Sequence, residues 1–351
     1  MNYKNVNIKK LQNADVENKK VILRVDFNVS MENGKAKETF KIKAVKESLD
    51  YLLGKRAKVA LLSYFGRPEG KVKPEFSLEQ LVPDVQKILG IKVRFISDCI
   101  GEKVEKEADL LKEGEILMLE NARFYPGEDE NDENLAKQMA EGFEIFINDA
   151  FSQSHRNQAS ITGITKFLPG FAGFQLQKEI LEMEKIKKGF ARPAIAIIGG
   201  AKIETKLPVI NFFENIYDYV LVGGKIANEA LDQKINFSAK VILPVDFVDD
   251  RWDIGPETIK KFHAIILKAK TIVWNGPLGK FEEEKYSHGT MDIFRSLLQT
   301  EAYKVVGGGE TLEILEKNQA FDKFDFVSTG GGAMLEYLSG GEMPGIEVLK
   351  V

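Results

Sequence analysis

The sequence is poor in the features that mark several classes of protein. It holds 1 cysteine among 351 residues, which excludes an internal disulfide and fits a reducing compartment. That residue, Cys99, follows an apolar run and is expected in the core rather than as a catalytic thiol. No uninterrupted apolar stretch approaches the roughly 18 residues of a membrane span. The polar start, residues 1–5, has no apolar core of signal-peptide type, so we expect a cytoplasmic protein.

The chain also lacks a strong excess of either charge. A formal net charge of −4 excludes a nucleic-acid-binding surface that covers the whole protein. With 44% hydrophobic and 29% charged residues and no low-complexity segment, the composition is typical of a folded globular protein long enough for two domains. We therefore expect neither nucleic acid nor a membrane as a partner, and we also expect a monomer.

Eleven short apolar runs alternate with helical patterns along the chain. The runs are rich in Val, Ile, Leu and Phe and are bounded by turn residues, which is typical of buried strands. The predicted strands are 21–29, 58–64, 91–96, 115–121 and 144–151 in the first half, and 193–200, 219–224, 240–247, 271–275, 303–308 and 326–330 in the second. Strand–helix alternation with nearly continuous apolar strands predicts an α/β fold with mainly parallel sheets covered on both faces.

A charged amphipathic helix at 177–188 joins the two halves and is ended by Gly189. It is a candidate connector between two domains. The alternative is an ordinary crossover helix within one sheet, but eleven strands would be large for a single open sheet.

Polar clusters follow the predicted strands and change character halfway along. In the first half they carry Asp, Asn, Arg and His; in the second half they carry Gly, Lys and acids. Open α/β sheets bind ligands beyond the carboxyl ends of their strands. A basic edge and a glycine-rich edge therefore indicate two ligands on two domains, with an anionic group passing between them.

The glycine clusters of the second half indicate a nucleotide site. Glycine lets backbone N–H groups approach a phosphate closely, and the following helix start adds a favourable dipole. The cluster at 199–206 lacks the spacing of a P-loop, and the cluster at 307–312 has leucine where a dinucleotide fingerprint has its third glycine. A nicotinamide-dependent dehydrogenase, which shares the fold class, is therefore disfavoured.

The motifs together resemble the phosphoglycerate kinase family over essentially the whole chain. They occur in the family order: Arg-Val-Asp-Phe-Asn at 24–28, Gly-Arg-Pro at 66–68, Leu-Glu-Asn-Ala-Arg-Phe at 119–124, Asn-Asp-Ala-Phe at 148–151, His-Arg at 155–156, Gly-Gly-Ala-Lys at 199–202, Leu-Pro-Val-Asp at 243–246, Asp-Ile-Gly-Pro at 253–256, Trp-Asn-Gly-Pro at 274–277, Gly-Gly-Gly-Glu-Thr at 307–311 and Ser-Thr-Gly-Gly-Gly-Ala at 328–333.

The resemblance implies two Rossmann-like domains with a hinge. The N-terminal domain, 1–170, would bind 3-phosphoglycerate or 1,3-bisphosphoglycerate, and the segment 340–351 would return to it. A hinge helix would span 171–190, and the domain 191–339 would bind ADP or ATP with Mg²⁺. The reaction would be reversible phosphoryl transfer from 1,3-bisphosphoglycerate to ADP in glycolysis, in line and after domain closure.

The resemblance also implies roles for single residues. Lys41, Lys202 and Arg67 would be catalytic. The substrate-binding residues would be Asp26, Phe27, Asn28, Lys41, Tyr64, Arg67, Arg123, His155 and Arg156. The nucleotide-binding residues would be Gly200, Ala201, Lys202, Lys206, Gly223, Gly224, Asn275, Pro277, Glu282, Gly308, Gly309, Glu310 and Thr311, with Glu310 as the metal ligand. For His155, a hydrogen-bonded loop histidine is an equal alternative.

The chain departs from the family pattern near both predicted sites. Lys41 stands where the family has a catalytic arginine, Glu310 where it has a magnesium-binding aspartate, and Tyr64 and Gln158 where it has histidines. Lys225 replaces a glycine near the expected adenine, and the connections 225–245 and 247–252 are short.

These departures keep a second function open. The alternative to an active kinase is a kinase-derived protein that binds nucleotide or phosphoglycerate with weak or no turnover. Lys225 and the short connections also predict relaxed discrimination between adenine and guanine nucleotides.

Overall fold

The computed structural model describes residues 7–351, so the polar residues 1–6 lie outside its described part. The chain divides between Leu181 and Glu182 and again between Gly341 and Glu342 into two compact units. We call the part before Glu182, together with Glu342–Val351, unit 1, and Glu182–Gly341 unit 2. Each unit holds a six-stranded parallel sheet flanked by helices, so the predicted α/β fold class is confirmed. Within residues 7–351, no helix is long and apolar enough to cross a membrane.

The strands are short and mostly buried. They are β1 (Lys20–Arg24), β2 (Met31–Glu32), β3 (Lys35–Ala36), β4 (Lys58–Leu62), β5 (Lys92–Phe95), β6 (Glu115–Met118), β7 (Ile145–Asn148), β8 (Gly170–Ala172), β9 (Ala194–Ile198), β10 (Tyr219–Val222), β11 (Val241–Ile242), β12 (Phe247–Val248), β13 (Asp253–Ile254), β14 (Thr271–Asn275), β15 (Tyr303–Gly307) and β16 (Phe326–Val327).

The α-helices lie between these strands. They are α1 (Phe40–Ala44), α2 (Lys46–Gly54), α3 (Val82–Leu89), α4 (Glu102–Asp109), α5 (Glu133–Ala140), α6 (Phe174–Lys188), α7 (Ile203–Ile216), α8 (Lys225–Asp232), α9 (Pro256–Ile266), α10 (His288–Leu298), α11 (Gly309–Lys317), α12 (Gly331–Leu338) and α13 (Pro344–Glu347).

The sheet of unit 1 has the strand order β5-β6-β4-β1-β7-β8. Strand β1 lies between β4 and β7, with Leu23 beside both Leu61 and Ile147. Apolar side chains on the two faces of the sheet form two core layers. Cys99 belongs to one of them and is 1% exposed, which confirms its predicted place in the core, and burial raises the pKa of its thiol.

The sheet of unit 2 has the strand order β11-β10-β9-β14-β15-β16. In chain order this is 3-2-1-4-5-6, the order of dinucleotide-binding folds, whose ligands lie where the order reverses. The reversal falls between β9 and β14, which are paired from Ala194 and Thr271 onward. The carboxyl ends of these two strands are therefore the expected ligand site of unit 2.

The predicted strands were mostly in the right place but too long at their carboxyl ends. The run predicted at 21–29 forms a strand only at Lys20–Arg24, and the run at 240–247 forms Val241–Ile242 and, at its last residue, the start of β12. In both cases the remaining residues form the loop that carries the polar motif. The sequence reading missed β8 and the small antiparallel pairs β2–β3 and β12–β13, because two- and three-residue strands carry no periodic signal.

Helix α6 contains the first division between the units. Its start is fixed within unit 1, where the N–H of Leu176 donates to Oδ1 of Asp149 at 3.0 Å. The segment after Gly341 also belongs to unit 1: the N–H of Gly345 donates to the carbonyl of Ser154 at 2.9 Å, and Leu349 is fully buried. The predicted hinge at 171–190 and the limits of the predicted domains stay predictions.

Candidate functional site

The charged motifs of unit 1 meet at one edge of its sheet. They follow β6, β4, β1 and β7, which are neighbours in that order and run parallel. Their carboxyl ends therefore bring Arg123, Tyr64, Asp26 and His155 to the same edge, although these residues are far apart in the sequence.

Lys41 and Asp26 form the ionic centre of this edge. Nζ of Lys41 lies 3.2 Å from Oδ2 of Asp26 and donates to the carbonyl of Asn28 at 3.0 Å. Burial opposes a charge on the amine, but attraction to Asp26 outweighs it and raises the pKa of Lys41 above its ordinary value. The oxygens of Asp26 also accept from the hydroxyl of Ser152 and from the N–H of Asn28. The lysine is thus a fixed positive charge at every ordinary pH.

Tyr64 holds a second cation in place. The guanidinium of Arg123 lies 4.1 Å from the centroid of the Tyr64 ring, and its Nη1 donates to the carbonyl of Gly66 at 3.1 Å. The Tyr64 hydroxyl accepts from Nε2 of Gln153 at 2.7 Å. Burial and the negative Asp26 raise the pKa of Tyr64 to about 12, so the ring stays a neutral phenol. The tyrosine that replaces the family's histidine therefore positions an arginine.

The other predicted residues of unit 1 differ in how far their side chains are exposed to a ligand. Arg67 and Arg156 are exposed, and within residues 7–351 neither side chain forms a hydrogen bond or an ion pair. His155 is half-buried; burial and the positive Arg156 lower its pKa, so the ring is neutral near pH 7. The ring of Phe27 is fully buried in the core and its N–H donates to Oγ of Ser63, so its contact with the substrate stays a prediction.

Arg24 and Glu128 form a buried ion pair next to this edge of the sheet, and the sequence did not indicate it. Arg24 and Glu128 are both fully buried, with Nη2 of Arg24 4.0 Å from Oε1 of Glu128. Ser160 bridges them: Nε of Arg24 donates to its Oγ at 2.9 Å, and that hydroxyl donates to Oε1 of Glu128 at 2.5 Å. The Arg24 guanidinium also lies 5.5 Å from the Tyr64 ring. The pair therefore connects the core to the stacked Tyr64 and Arg123.

In unit 2, backbone segments approach each other closely where the strand order reverses. A Cβ atom on Gly199 would lie 1.9 Å from the carbonyl oxygen of Pro277, so only glycine fits there. Gly224 has φ +69 and a Cβ on it would lie 3.0 Å from the same oxygen. The loops after β9, β10 and β14 are thus in direct contact, which explains why glycines recur at these three strand ends.

Two helices start beside these loops. Gly308, with φ +112, precedes α11, and a Cβ on Gly331 at the start of α12 would lie 2.4 Å from the Cα of Gly308. The Oγ1 of Thr311 accepts from the N–H of Gly276 at 2.9 Å and ties α11 to the loop after β14. Helix N-termini present unpaired N–H groups and a positive dipole end, which suits phosphate.

The two predicted lysines of unit 2 differ in their surroundings. Lys202 is exposed at the start of α7. Lys206 is half-buried, and its Nζ donates to Oδ1 of Asn275 at 2.5 Å. Burial lowers the pKa of Lys206 to about 8, although the negative Glu310 acts in the opposite direction. Lys206 is therefore a cation whose charge depends on pH in the physiological range.

Glu310 and Glu282 form an acidic pair that suits a divalent cation. The pKa of Glu310 is raised by partial burial and by the negative Glu282, while Lys206 lowers it. A bound cation would relieve this repulsion, and carboxylate oxygens are the donors that Mg²⁺ prefers. Residues 7–351 hold no cluster of three or more His, Cys, Asp or Glu side chains arranged as a metal site. The carboxylates of Glu310 and Glu282 therefore fit a Mg²⁺ ion whose further ligands are phosphate oxygens of the nucleotide.

A cavity of about 420 Å³ opens beside these loops. Five of the predicted nucleotide residues line it: Gly200, Ala201, Pro277, Glu282 and Glu310. Lys225, which the sequence places near the expected adenine, also lines the cavity. The rest of the wall comes from residues that the sequence did not assign to the nucleotide site, namely Asn228, Glu229, Asp232, Asp250, Arg251, Trp252, Gly279 and Lys280. Its volume is typical of small-molecule sites, which range from about 300 to 1,000 Å³.

The protein consists of two parallel α/β units. One has a cationic sheet edge, and the other has glycine loops, helix N-termini and a cavity. These features together are typical of a nucleotide-dependent phosphotransferase. The sequence comparison gives the family. The family model described as phosphoglycerate kinase matches residues 11–236 and 230–341, and the chain belongs to that family.

Curated relatives match along nearly their whole length. The phosphoglycerate kinase of Wolbachia sp. subsp. Drosophila simulans (strain wRi) is 37% identical over 395 residues, covering 98% of this chain and 99% of the relative. That of Moorella thermoacetica is 37% identical over 385 residues, covering 97% and 98%. These alignments are longer than the 351 residues of this chain, so they contain gaps in this chain.

Solved structures agree. The phosphoglycerate kinase of Pyrococcus horikoshii OT3 superimposes with a TM-score of 0.88 at 29% identity, covering 97% of this chain and 98% of that one. The enzyme from Coxiella burnetii gives 0.80 at 32% identity, with the same coverage. The chain is therefore a phosphotransferase with a carboxyl group as acceptor, acts in glycolysis and uses ADP and ATP as substrates.

Proposed function

We propose that unit 1 binds phosphoglycerate, that unit 2 binds ADP or ATP with Mg²⁺, and that a phosphoryl group passes directly from one ligand to the other. The observation that carries the proposal is the contrast between the two sheet edges. Four neighbouring strands of unit 1 are followed by charged and polar side chains, among them Lys41 paired with Asp26 and the cation of Arg123, whereas the strands of unit 2 end in glycine-rich loops beside a cavity.

In unit 1, the available arginines would bind the charged groups of the substrate. Arg67 and Arg156 are exposed and can form bidentate bonds to phosphate or carboxylate oxygens. Arg123 is already oriented by Tyr64 and presents a fixed charge. Asp26 and Asn28 would accept from or donate to the hydroxyl of the glycerate, and His155 would contribute as a neutral ring. Lys41 would stabilise negative charge on the acyl phosphate.

In unit 2, phosphates would lie at the N-termini of α11 and α7. The N–H groups of Gly309, Glu310 and Thr311 would bind oxygens, and Lys206 would neutralise them after breaking its bond to Asn275. Exposed Lys202 would follow the transferring phosphoryl group. Gly200, Ala201, Gly223, Gly224, Pro277 and Gly308 would let the backbone approach the nucleotide, with Glu282 on the ribose.

Glu310 is the residue that would hold Mg²⁺, directly or through water. A Mg²⁺ ion bound with the nucleotide neutralises phosphate charge and fixes the geometry of the terminal phosphate. The chain's own groups provide positioning and positive charge. No general base is needed, because an acyl-phosphate donor and a carboxylate leaving group require no proton abstraction. Transfer requires the two ligands to come within reach during the reaction, so we propose closure of the units about α6.

The decisive experiment is a coupled assay in both directions. We expect phosphoryl transfer from 1,3-bisphosphoglycerate to ADP and the reverse reaction with ATP and 3-phosphoglycerate. Calorimetry of each ligand separates the proposed function from the alternative. Binding of both ligands without turnover above the blank would favour the kinase-derived binding protein and overturn the proposal.

We also propose that the protein acts as a monomer in the cytoplasm. Each proposed ligand contact comes from the one chain, so activity requires no second copy. The single buried cysteine agrees with a reducing compartment. Sedimentation equilibrium at assay concentration should give the mass of one chain.

The pKa of Lys206 predicts a pH-dependent affinity for ADP. Phosphate binds the protonated amine, and in the free enzyme that proton is lost as the pH rises through about 8. ADP affinity should therefore fall above pH 8, by up to about tenfold per pH unit. Lys206→Arg keeps the charge and should flatten the profile between pH 7 and 9 in calorimetry. Equal slopes for wild type and variant would contradict the assignment.

A further inference from the structure

Trp252 is a large apolar side chain exposed on the wall of the cavity. It is 46% exposed, whereas the second tryptophan, Trp274, is fully buried. It lies in the turn between β12 and β13, directly before the Asp-Ile-Gly-Pro motif at 253–256. An indole ring on the wall of a cavity of this size offers a ligand a broad, flat apolar surface.

The turn that carries Trp252 is held from two sides. On one side, Nδ2 of Asn228 donates to the carbonyl of Arg251 at 2.9 Å, and Arg251 Nη1 donates to Oδ1 of Asp232 at 2.7 Å, so α8 anchors the turn. The carbonyl of Trp252 accepts from the N–H of Lys280 at 2.8 Å.

On the other side, the loop after β14 supports the same turn. The hydroxyl of Tyr286 donates to Oδ2 of Asp249 at 3.0 Å, and the Tyr286 ring lies 6.1 Å from the indole at an interplanar angle of 34°. Bonds to both α8 and this loop fix the backbone under the indole. A platform that is already ordered loses little entropy when a ligand stacks on it.

The cavity wall has two chemically different ends. Gly200, Pro277 and Glu310 belong to the strand-end loops where we place the phosphates, and we call them the phosphate end. Asn228, Asp232, Asp250, Arg251 and Trp252 come from α8 and the β12–β13 turn, and we call them the base end. A nucleotide whose phosphates lie at the phosphate end has its base as the group that reaches the base end.

The ammonium of Lys280 now covers the indole, with Nζ 4.8 Å from the ring centroid. Lys280 is 42% exposed and also pairs with Glu283, three residues away on the surface. A long, half-exposed lysine can move aside at small cost, because its second partner keeps its charge compensated. A planar base can then take its place on the indole.

We propose that Trp252 is the stacking platform for the purine base of the nucleotide, a role that rests on the proposed nucleotide site of unit 2. It ends the short connection 247–252 and lies on the cavity wall together with Lys225 and Asn228 of the connection 225–245. Stacking uses the face common to all bases, so the platform contributes affinity without selecting one purine.

Tryptophan fluorescence and calorimetry test the platform together. ADP should quench part of the wild-type emission, because Trp252 is exposed and Trp274 is buried. Trp252→Ala should weaken ADP binding by about fivefold to 150-fold, the range found when a stacking aromatic is truncated. Trp252→Phe should remove the quenching yet bind ADP within about threefold of wild type, since the ring is kept.

Two controls separate stacking from loss of structure. Inorganic tripolyphosphate has no base, so its affinity should be the same for wild type and Trp252→Ala. Tyr219→Ala removes another exposed aromatic, at the opposite end of β10, and should leave ADP affinity unchanged. ADP affinity unaffected by Trp252→Ala, or tripolyphosphate affinity reduced equally with it, would overturn the inference. A wild-type chain that binds no ADP would instead contradict the proposed function.

A stacking platform also predicts tolerance toward the base. GDP should bind within about tenfold of ADP, because both purines offer the same face to the indole. Lys225, which is 69% exposed on the cavity wall and pairs loosely with Glu229 at 3.7 Å, is no barrier to the guanine oxygen. The measurement is the ratio of ADP to GDP affinity in wild type and Trp252→Ala. A preference for ADP above a hundredfold would contradict it.

Discussion

Lys41→Ala should reduce kcat in the coupled assay by about 100- to 1,000-fold, the loss found when one preorganised charge-stabilising donor is removed. The structure supports a fixed position for this charge: Nζ of Lys41 is held by Asp26 at 3.2 Å and by the carbonyl of Asn28 at 3.0 Å. KM for 3-phosphoglycerate should change much less, because the arginines carry most of the binding charge. Lys41→Arg should keep or raise turnover, since it restores the planar fork of the family's arginine.

Lys43 provides the matched control for this result. It lies on the same short helix, two residues away, and is exposed to solvent. Lys43→Ala should leave both kcat and KM within about twofold of wild type, as is usual for an exposed side chain away from specific contacts. Full turnover by Lys41→Ala would show that Lys41 does not act on the transferred group and that its alignment with the family's arginine is wrong.

Glu128→Ala should lower the free energy of unfolding by about 3–5 kcal/mol, the cost of leaving a buried charge without its partner. Arg24 and Glu128 are both fully buried, and burial lowers the pKa of Arg24 and raises that of Glu128 against their mutual attraction. Removing the acid leaves the guanidinium, which stays charged, without compensation. The measurement is urea denaturation followed by circular dichroism, because both tryptophans lie in unit 2 and do not report on unit 1.

Two further variants make this prediction specific. Glu130→Ala removes an exposed acid two residues away and should change stability by less than about 0.5 kcal/mol. The double variant Arg24→Met with Glu128→Leu replaces the pair with apolar side chains and should recover much of the loss. A loss below about 1 kcal/mol for Glu128→Ala would mean that water or another group compensates Arg24.

The alternation of apolar runs was enough to predict both sheets. Runs such as 194–198 are apolar at every position and too short for an ordinary helix, which favours a strand covered on both faces, and the structure buries all five residues. The strand ends were predicted less well, because Val25, Phe27 and Val29 are as buried as the strand before them although they lie in the loop. These side chains belong to a core cluster that also holds residues distant in the sequence, such as Leu81 and Val85, which the local sequence does not reveal.

Site residues that belong to a sequence motif could be predicted, whereas residues that only tertiary packing brings to the site could not. Asp26, Arg123, Lys206 and Glu310 were found from motifs, and their roles stay predictions. Arg24 was present in the first motif, but its full burial beside Glu128 depends on a residue more than a hundred positions away. Trp252 lies in a connection that is short in this chain, so the family pattern gave it no role and only the cavity reveals it.

The way the units share the chain constrains how the protein is made. Unit 2 is one continuous stretch, Glu182–Gly341, whereas unit 1 is completed only by the residues that follow it. On the ribosome, unit 2 can therefore finish folding while the first unit still waits for Gly345 and Leu349, which pack against Ser154 and pair with Lys9. Lys41 and Arg67, two of the residues predicted to be catalytic, belong to the unit that is finished last, so the unit proposed to bind the nucleotide can fold before the chain can become an active enzyme.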